Sequence, residues 1–136
     1  MTQTRSEIIR AFIPHSPLVG HLGIELVQLG SDRAVLRMPF RPELATMGDV
    51  VHGGAIAALL DTASMAAAWA DEEVPDSAAG ATVSMSVDYV AAARGCDLTA
   101  TATVTRRGRS LCFCEVTVAD VDGATVAKGI AVHRFG

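Results

Sequence analysis

The chain has 136 residues, the size of one domain, and its formal net charge of −4 lacks the excess of basic residues that marks nucleic-acid-binding proteins. Half of the residues are hydrophobic but only 4% are aromatic, so a core must be built from alanine and aliphatic side chains. Neither a signal peptide nor an apolar run of membrane-spanning length is present, and we expect one soluble, cytoplasmic domain over residues 1–136.

The first half of the chain contains signals for a short helix and a strand hairpin. The helix is predicted over residues 6–12, and strands are predicted over 23–29 and 33–40 with a tight turn at Gly30-Ser31-Asp32. The segment 41–51 has no clear periodicity and is predicted to be a loop.

A long helix is predicted to begin near Gly53 and to end around the acidic cluster at residues 71–73. This segment is rich in alanine, leucine and methionine, and it has no proline before Pro75. Because it is apolar nearly all the way round, we expect the helix to be buried rather than to lie on the surface.

The second half of the chain alternates with a period of two, which predicts strands over 81–90, 97–105, 110–118 and 125–133. In the first of these strands the odd positions from Val83 to Tyr89 are apolar and the even positions are polar, so the odd positions are expected to face the core. Turn signals at Arg107-Gly108 and Asp122-Gly123 join the later strands as hairpins. The pattern predicts an α+β fold in which about six antiparallel strands curl around one long helix, with a short N-terminal helix in addition.

One ionisable residue, Asp61, lies inside this otherwise uncharged helix. A lone carboxylate in an apolar helix is costly unless it is paired or used, because desolvation disfavours its charged form. Asp61 is therefore the first candidate for a functional residue.

His52 and Asp61 are nine residues apart, which on one helix is about half a turn out of phase and about 13 Å along the axis. A catalytic pair within one chain is not expected from this spacing. Two copies of the helix related by a two-fold axis could each supply one of these residues to a shared site, so the spacing predicts a dimer.

Gly53 and Gly54 follow His52 at the start of the helix, where backbone N–H groups have no intrahelical acceptor and no Cβ obstructs a ligand. Such amides can stabilise an oxyanion, and a facing carboxylate can activate water or attack directly. The combination suits hydrolysis of an activated acyl group. A structural alternative is that the glycines only permit a crowded helix start and that Asp61 caps a neighbouring loop.

The segment Val51-His-Gly-Gly-Ala-Ile-Ala-Ala-Leu-Leu-Asp-Thr-Ala63 resembles the signature of hotdog-fold acyl-CoA thioesterases, specifically their phenylacetate-pathway (PaaI-like) branch. The likeness runs from about Leu18 to Arg134. It includes Leu22-Gly-Ile-Glu-Leu, Gly80-Ala-Thr-Val-Ser-Met-Ser-Val-Asp-Tyr and Arg107-Gly-Arg-Ser-Leu. The resemblance implies a hotdog fold and hydrolysis of an acyl- or aryl-CoA to a carboxylic acid and free coenzyme A.

In this family the residue matching Asp61 is the catalytic carboxylate, acting as general base or nucleophile from the partner subunit. The amide matching Gly53 stabilises the oxyanion, His52 shapes the same end of the site, and Thr82 matches a Ser or Thr that orients the carboxylate or the water. The resemblance implies a homodimer with shared active sites that often forms a homotetramer. It implies no cofactor and no metal, since coenzyme A is part of the substrate.

Gly54 and Thr46 complete the predicted substrate contacts at the start of the helix. Several relatives carry an asparagine six residues before the histidine, and its amide assists at the thioester carbonyl. Here that position is Thr46, whose shorter hydroxyl changes the side-chain part of the oxyanion site.

The arginines Arg106, Arg107 and Arg109 are candidate contacts for the phosphates of coenzyme A, because they cluster at one hairpin. An ordinary solvated turn is the alternative explanation for them. Cys96, Cys112 and Cys114 have neither disulfide nor zinc spacing.

Two other functions are compatible with the same fold. One is an acyl-CoA-binding module without turnover, in which a buried carboxylate near an anionic ligand would have no use. The other is an enoyl-CoA hydratase, for which His52 is the one candidate but the spacing of Asp61 differs from the usual pattern. The sequence leaves the acyl group undetermined.

Overall fold

The computed structural model describes residues 2–136, and in that range a six-stranded antiparallel sheet packs against one long helix. The sheet strands are β1 (Glu25–Gly30), β2 (Arg33–Met38), β5 (Gly80–Tyr89), β6 (Leu98–Arg107), β7 (Leu111–Ala119) and β8 (Thr125–Phe135). A separate ladder contains β3 (Ala45–Met47) and β4 (Val50–Val51). The helices are α1 (Arg5–Phe12), α2 (Pro17–Leu22) and α3 (Gly53–Ala68), with 3-10 turns at Ile13–His15 and Pro42–Leu44. The predicted α+β fold is confirmed.

The strand order in the sheet is β1-β2-β6-β7-β8-β5. Hairpins join β1 to β2, β6 to β7 and β7 to β8, whereas α3 connects the short ladder to β5 at the far edge of the sheet. The helix packs against one face of the sheet, where it contacts β2, β6, β7 and β8.

Most of helix α3 is buried, as its composition predicts, and its partly exposed residues Ala57, Ala58, Asp61 and Met65 share one face. Leu59, Leu60, Ala63, Ala66 and Ala67 each have 0% exposure. The many alanines permit the strands to approach the helix axis closely on several sides, and burial of apolar area is the dominant favourable contribution to folding.

The C-terminal end of α3 is closed by Arg107 of β6. Its guanidinium donates to the carbonyl oxygens of Ala67 and Ala68 at 3.3 and 2.8 Å, and to Asp32 Oδ1 at 2.8 and 3.1 Å. Carbonyls in the last turn of a helix lack the usual intrahelical donors, and a cation at this end also interacts favourably with the helix dipole. The Ala67 carbonyl accepts in addition from the N–H of Ala70 at 3.1 Å. The helix ends at Ala68, before the acidic cluster at which the sequence predicted its end.

Several short local elements were not predicted from the sequence. Residues 17–22 form α2, which has Pro17 in its first position and ends at Gly23 in the left-handed region with φ of 73°. Within the predicted loop 41–51, a 3-10 turn and the β3–β4 ladder are formed. The start and stop signals of α2 are present in the sequence, but six residues are too few for a clear apolar period.

A β-bulge in β5 changes which of its side chains face α3. Thr82 is opposite His133 on β8, but the next partners are Ser84 and Val132, so Val83 is the extra residue. The bulge places Thr82 on the same face as the odd positions that follow it, and Val83 is left 51% exposed. The prediction that Val83 faces the core and that Thr82 faces away is wrong, because one extra residue reverses the alternation.

A buried aromatic cluster fills the space between the C-terminal end of α3 and the start of β5. Trp69 Nε1 donates to His133 Nε2 at 2.8 Å, and the rings of Trp69, His133 and Phe135 contact one another edge to face. His133 is 4% exposed, and its Nδ1 has no hydrogen-bond partner within residues 2–136. Because Nε2 accepts a hydrogen bond, the imidazole in this arrangement is neutral.

We predict that replacing Arg107 by methionine destabilises the fold by about 2 kcal/mol, since the carbonyls of Ala67 and Ala68 lose a charged donor. Urea unfolding followed by circular dichroism measures the change. The matched control is Arg106→Met, because Arg106 is the exposed neighbour on the same strand and its replacement should change the free energy of unfolding by less than about 0.5 kcal/mol. Equal effects of the two substitutions would contradict a capping role for Arg107.

We also predict that the stability of the fold decreases in mild acid through His133. Burial lowers the pKa of His133 below its ordinary value of 6.5, an effect that Asp61 opposes and Arg5 reinforces. The unfolded chain binds this proton near pH 6.5 and the folded chain only at lower pH. The free energy of unfolding should therefore be at its full value above about pH 6.5 and fall below it by at most about 1.4 kcal/mol per pH unit.

Urea unfolding at pH 7.5 and 5.5, in the wild type and in His133→Gln, isolates this contribution from the other histidines. The glutamine amide can accept from Trp69 but does not titrate, so the variant should lose less stability between the two pH values. The same loss in both proteins would show that His133 does not cause it.

Candidate active site

His52 is the N-cap of α3, and both its backbone and its side chain hold the first turn. Its Nδ1 accepts from the Gly54 N–H at 2.7 Å, and its carbonyl accepts from the N–H groups of Ala55 and Ile56 at 2.9 and 3.1 Å. The Gly53 N–H is then the one amide of this first turn without an acceptor within residues 2–136. An unpaired amide at the positive end of a helix dipole is suited to binding an anionic or polarised oxygen.

Tyr89, at the end of β5, packs over the same point of the helix and was not singled out from the sequence. Its hydroxyl donates to the Gly53 carbonyl at 2.9 Å. A Cβ added to Gly53 would lie 3.4 Å from ring atoms Cε1 and Cζ, so the ring rests against the α-carbon of the glycine. The apolar alternation around Tyr89 indicates a packing residue, and nothing local reveals its polar contact.

Asp61 lies two turns further along α3 and is half-buried. Thr82 Oγ1 donates to its Oδ1 at 2.7 Å, and this contact depends on the bulge that turns Thr82 toward the helix. The salt bridges of residues 2–136 include none to Asp61. The carboxylate therefore has one orienting donor and no neutralising cation, and Asp61 caps no loop.

Asp61 and the free amide of Gly53 are not brought together within one chain. They are eight residues apart on an unbroken helix, which corresponds to about 12 Å along the axis and about 80° around it. A thioester carbonyl at hydrogen-bonding distance from the amide is therefore out of reach of the carboxylate of the same chain.

Two clefts flank the start of α3. The first, which we call the Tyr89 cleft, has a volume of about 360 Å³ and lies next to Gly53. Its lining residues are Thr46, Val50, Val51, Gly53, Ile56, Tyr89, Val90, Ala91, Ala92 and Ala93. The second, the Leu22 cleft, has a volume of about 300 Å³ and lies next to Gly54. It is lined by Leu18, Leu22, Glu43, Leu44, Ala45, His52, Gly54, Ala55 and Ala58.

Thr46 and Gly53, two of the predicted site residues, line the Tyr89 cleft, and two others, His52 and Gly54, line the Leu22 cleft. The three arginines lie elsewhere. Arg107 donates hydrogen bonds to Asp32 and to the carbonyl of Ala68 at the end of α3, so we assign it a structural role rather than a role in ligand binding. Arg106 and Arg109 are exposed.

The part of the chain that the structure describes contains no group of three or more His, Cys, Asp or Glu side chains that could hold a metal ion. Of the three cysteines, Cys112 and Cys114 are buried and Cys96 is partly exposed, and all are free thiols. No helix in residues 2–136 is long and apolar enough to cross a membrane.

The chain is similar in sequence to known proteins over most of its length. Residues 48–127, more than half of the chain, match a family model described as the thioesterase superfamily. Human acyl-coenzyme A thioesterase 13 is 30% identical, over 100% of this chain and 97% of that protein.

Solved structures have the same fold. A thioesterase family protein from Silicibacter pomeroyi superposes with a TM-score of 0.88 at 26% identity, covering 96% of each chain. The PaaI protein of the E. coli phenylacetic acid degradation operon superposes with a TM-score of 0.83 at 22% identity, covering 97% of this chain and 94% of that one. The fold expected from the sequence resemblance is confirmed.

Proposed function

The chain belongs to the thioesterase superfamily and is a thioester hydrolase, and on this premise we propose that it cleaves an acyl-coenzyme A to a carboxylic acid and free coenzyme A. One observation carries the proposal: the first turn of α3 leaves a single free amide, at Gly53, while the same helix carries an unpaired carboxylate, Asp61, held by Thr82. These are the oxyanion donor and the base that thioester hydrolysis requires.

In the proposed reaction Asp61 takes a proton from water while the water oxygen attacks the thioester carbonyl carbon. The charge that develops on the carbonyl oxygen is stabilised by the Gly53 amide. The C–S bond then breaks, the thiolate of coenzyme A takes the proton that Asp61 had accepted from water, and the carboxylic acid leaves. In the nucleophilic variant, an Asp61 oxygen attacks first and water cleaves the resulting anhydride. Thr82 occupies Oδ1 in both schemes and leaves Oδ2 free to act.

We propose that each active site combines two subunits. The outer edge of β5 has no partner strand within residues 2–136, although it is ten residues long. Its exposed apolar side chains, Val83, Met85 and Tyr89, are 51%, 38% and 53% accessible. A long apolar edge strand is stable in water only when something covers it, and a second copy in antiparallel pairing is the simplest cover.

Such pairing would complete the site. Thr82 near the start of β5 contacts Asp61, whereas Tyr89 at its end contacts Gly53. An antiparallel strand pair about a two-fold axis puts the start of each strand opposite the end of the other. Asp61 of one chain would then lie beside Gly53 of the partner subunit, which one chain cannot achieve by itself.

The two clefts at the start of α3 supply room on both sides of the scissile bond, for the acyl group and for the pantetheine arm. Thr46 lines the Tyr89 cleft beside Gly53, where its hydroxyl is the side-chain candidate for a second contact to the carbonyl oxygen. Arg106 and Arg109, whose guanidinium groups are exposed, are the candidates for contacts to the phosphates of coenzyme A.

We predict that the purified protein releases free thiol from at least one acyl-CoA and that Asp61→Asn lowers kcat by at least about 100-fold, because the amide cannot act as a base. A thiol-reactive dye measures the release across short, medium, long and aromatic acyl-CoA substrates. The variant should keep the oligomeric state of the wild type in size-exclusion chromatography.

Equal rates in the wild type and in Asp61→Asn would refute the role of the carboxylate. Stoichiometric binding of acyl-CoA with no thiol release from any substrate would indicate a binding module. Loss of the double bond of an enoyl-CoA without thiol release would indicate a hydratase.

We predict that two inactive variants restore one another in a hybrid dimer. Gly53→Pro removes the free N–H and is compatible with the backbone here, because proline suits the first position of a helix and His52 before it is already extended, with φ of −61° and ψ of 132°. A hybrid of Gly53→Pro with Asp61→Ala has one intact site, so it should have about half the wild-type specific activity. Co-expression with two different affinity tags isolates this hybrid.

The matched control is Gly53→Ala, which adds a side-chain carbon but keeps the N–H. Its kcat should fall much less than the roughly 100- to 1000-fold expected for Gly53→Pro. A hybrid as inactive as both parents would mean that amide and carboxylate act from the same chain.

A further inference from the structure

We infer that Tyr89 is a positioning residue which, together with His52, holds the Gly53–Gly54 peptide so that the Gly53 amide alone is presented to the thioester carbonyl. The inference rests on the proposed function. It assigns to Tyr89 a role in placing the oxyanion donor, and it explains why one of two adjacent glycine amides serves as that donor.

The peptide between Gly53 and Gly54 is held at both ends. Its carbonyl accepts from the Tyr89 hydroxyl at 2.9 Å, and its N–H donates to His52 Nδ1 at 2.7 Å. Rotation of this peptide would break both hydrogen bonds. The backbone of Gly53 is therefore held in one orientation, and its own N–H, on the preceding peptide, keeps a defined direction.

Gly54 is needed for the contact to His52, whereas a Cβ on Gly53 would meet the Tyr89 ring at an ordinary contact distance of 3.4 Å. The Tyr89 ring lies against the α-carbon of Gly53, and a Cβ on Gly54 would be 2.9 Å from two atoms of the His52 ring. A side chain at residue 54 would therefore displace the imidazole from its hydrogen bond. The Gly54 N–H would then be free beside the Gly53 N–H, and the two amides would compete for one oxygen.

The hydrogen bond from Tyr89 is not required to satisfy an unpaired backbone group. In a regular helix the carbonyl of the first residue already accepts from the N–H four residues later. The Tyr89 hydroxyl is thus a second donor to a paired oxygen. The residue also lines the cleft beside Gly53, so its hydroxyl lies at the proposed substrate end of the helix.

The effect on the reaction follows from geometry. An oxyanion donor is effective only when it points at the position that the developing charge will occupy, and small displacements of a catalytic group are costly. Loss of the Tyr89 hydroxyl should therefore lower kcat while leaving the apolar walls that bind substrate in place. We expect Tyr89→Phe to lower kcat on the order of tenfold, less than deletion of the amide itself, with KM changed by less than about twofold.

The decisive measurement is the infrared band of the bound thioester carbonyl. In the Asp61→Asn background turnover is at least about 100-fold slower, so an acyl-CoA labelled with ¹³C at the thioester carbon, chosen as the best substrate of the wild type, can be observed in the complex before it is hydrolysed. Hydrogen bonding from Gly53 should lower its stretching frequency relative to free substrate. Adding Tyr89→Phe should move the band back toward the free value and broaden it.

Three controls keep the outcomes separate. Asp88→Asn, at the neighbouring position of β5, should change neither kcat nor the carbonyl band, since Asp88 lies opposite Lys128 on the other face of the sheet. His52→Ala should broaden the band because the Gly54 amide is released. His52→Asn should narrow it again because asparagine is a good N-cap.

An unchanged band and unchanged kcat in Tyr89→Phe, with folding and oligomeric state preserved, would overturn the inference. A parallel loss of kcat and of thermal stability with no change in the band would also overturn it, since that result indicates packing. Consumption of the labelled substrate by Asp61→Asn at the wild-type rate would instead refute the proposed role of Asp61, so the two failures are distinguishable.

Discussion

The structure depends on burying helix α3, which is apolar on nearly every side, within a single curved sheet. A helix without a polar face has no surface to present to water, so strands must cover it from several directions, and the alanines along it allow their close approach. This constraint makes each polar exception conspicuous. The Asp61 carboxylate accepts a hydrogen bond from Thr82, and backbone groups at the two ends of the helix are paired with side chains from outside it.

The two ends of α3 are capped differently, and the proposed chemistry depends on that difference. At the C-terminal end, Arg107 occupies the carbonyls of Ala67 and Ala68, so that end is closed by the fold itself. At the N-terminal end, His52 takes the Gly54 amide and leaves that of Gly53. A helix start that is fully capped would have no donor for a ligand, and one without a cap would offer several competing donors.

Strand β5 contacts both proposed functional residues, Asp61 and Gly53, although it is an edge strand of the sheet. It contacts Asp61 near its start through Thr82 and Gly53 at its end through Tyr89. The carboxylate and the amide are kept apart by the rise of their common helix, so one chain contains two half-sites. We propose that the exposed edge of β5 joins the half-sites of two chains, which makes association part of the catalytic arrangement.

The sequence by itself determined the long buried helix, the six strands and the isolation of Asp61, because each depends on residues close together in the chain. It also indicated the free amides at the Gly53-Gly54 step. The family resemblance assigned Thr82 to the carboxylate, but only the tertiary structure decided that a bulge at Val83 turns Thr82 toward Asp61, that Tyr89 holds Gly53 and that Arg107 closes the far end of α3. Those contacts join residues 21 to 40 positions apart, and local periodicity contains no information about such contacts or about the bulge.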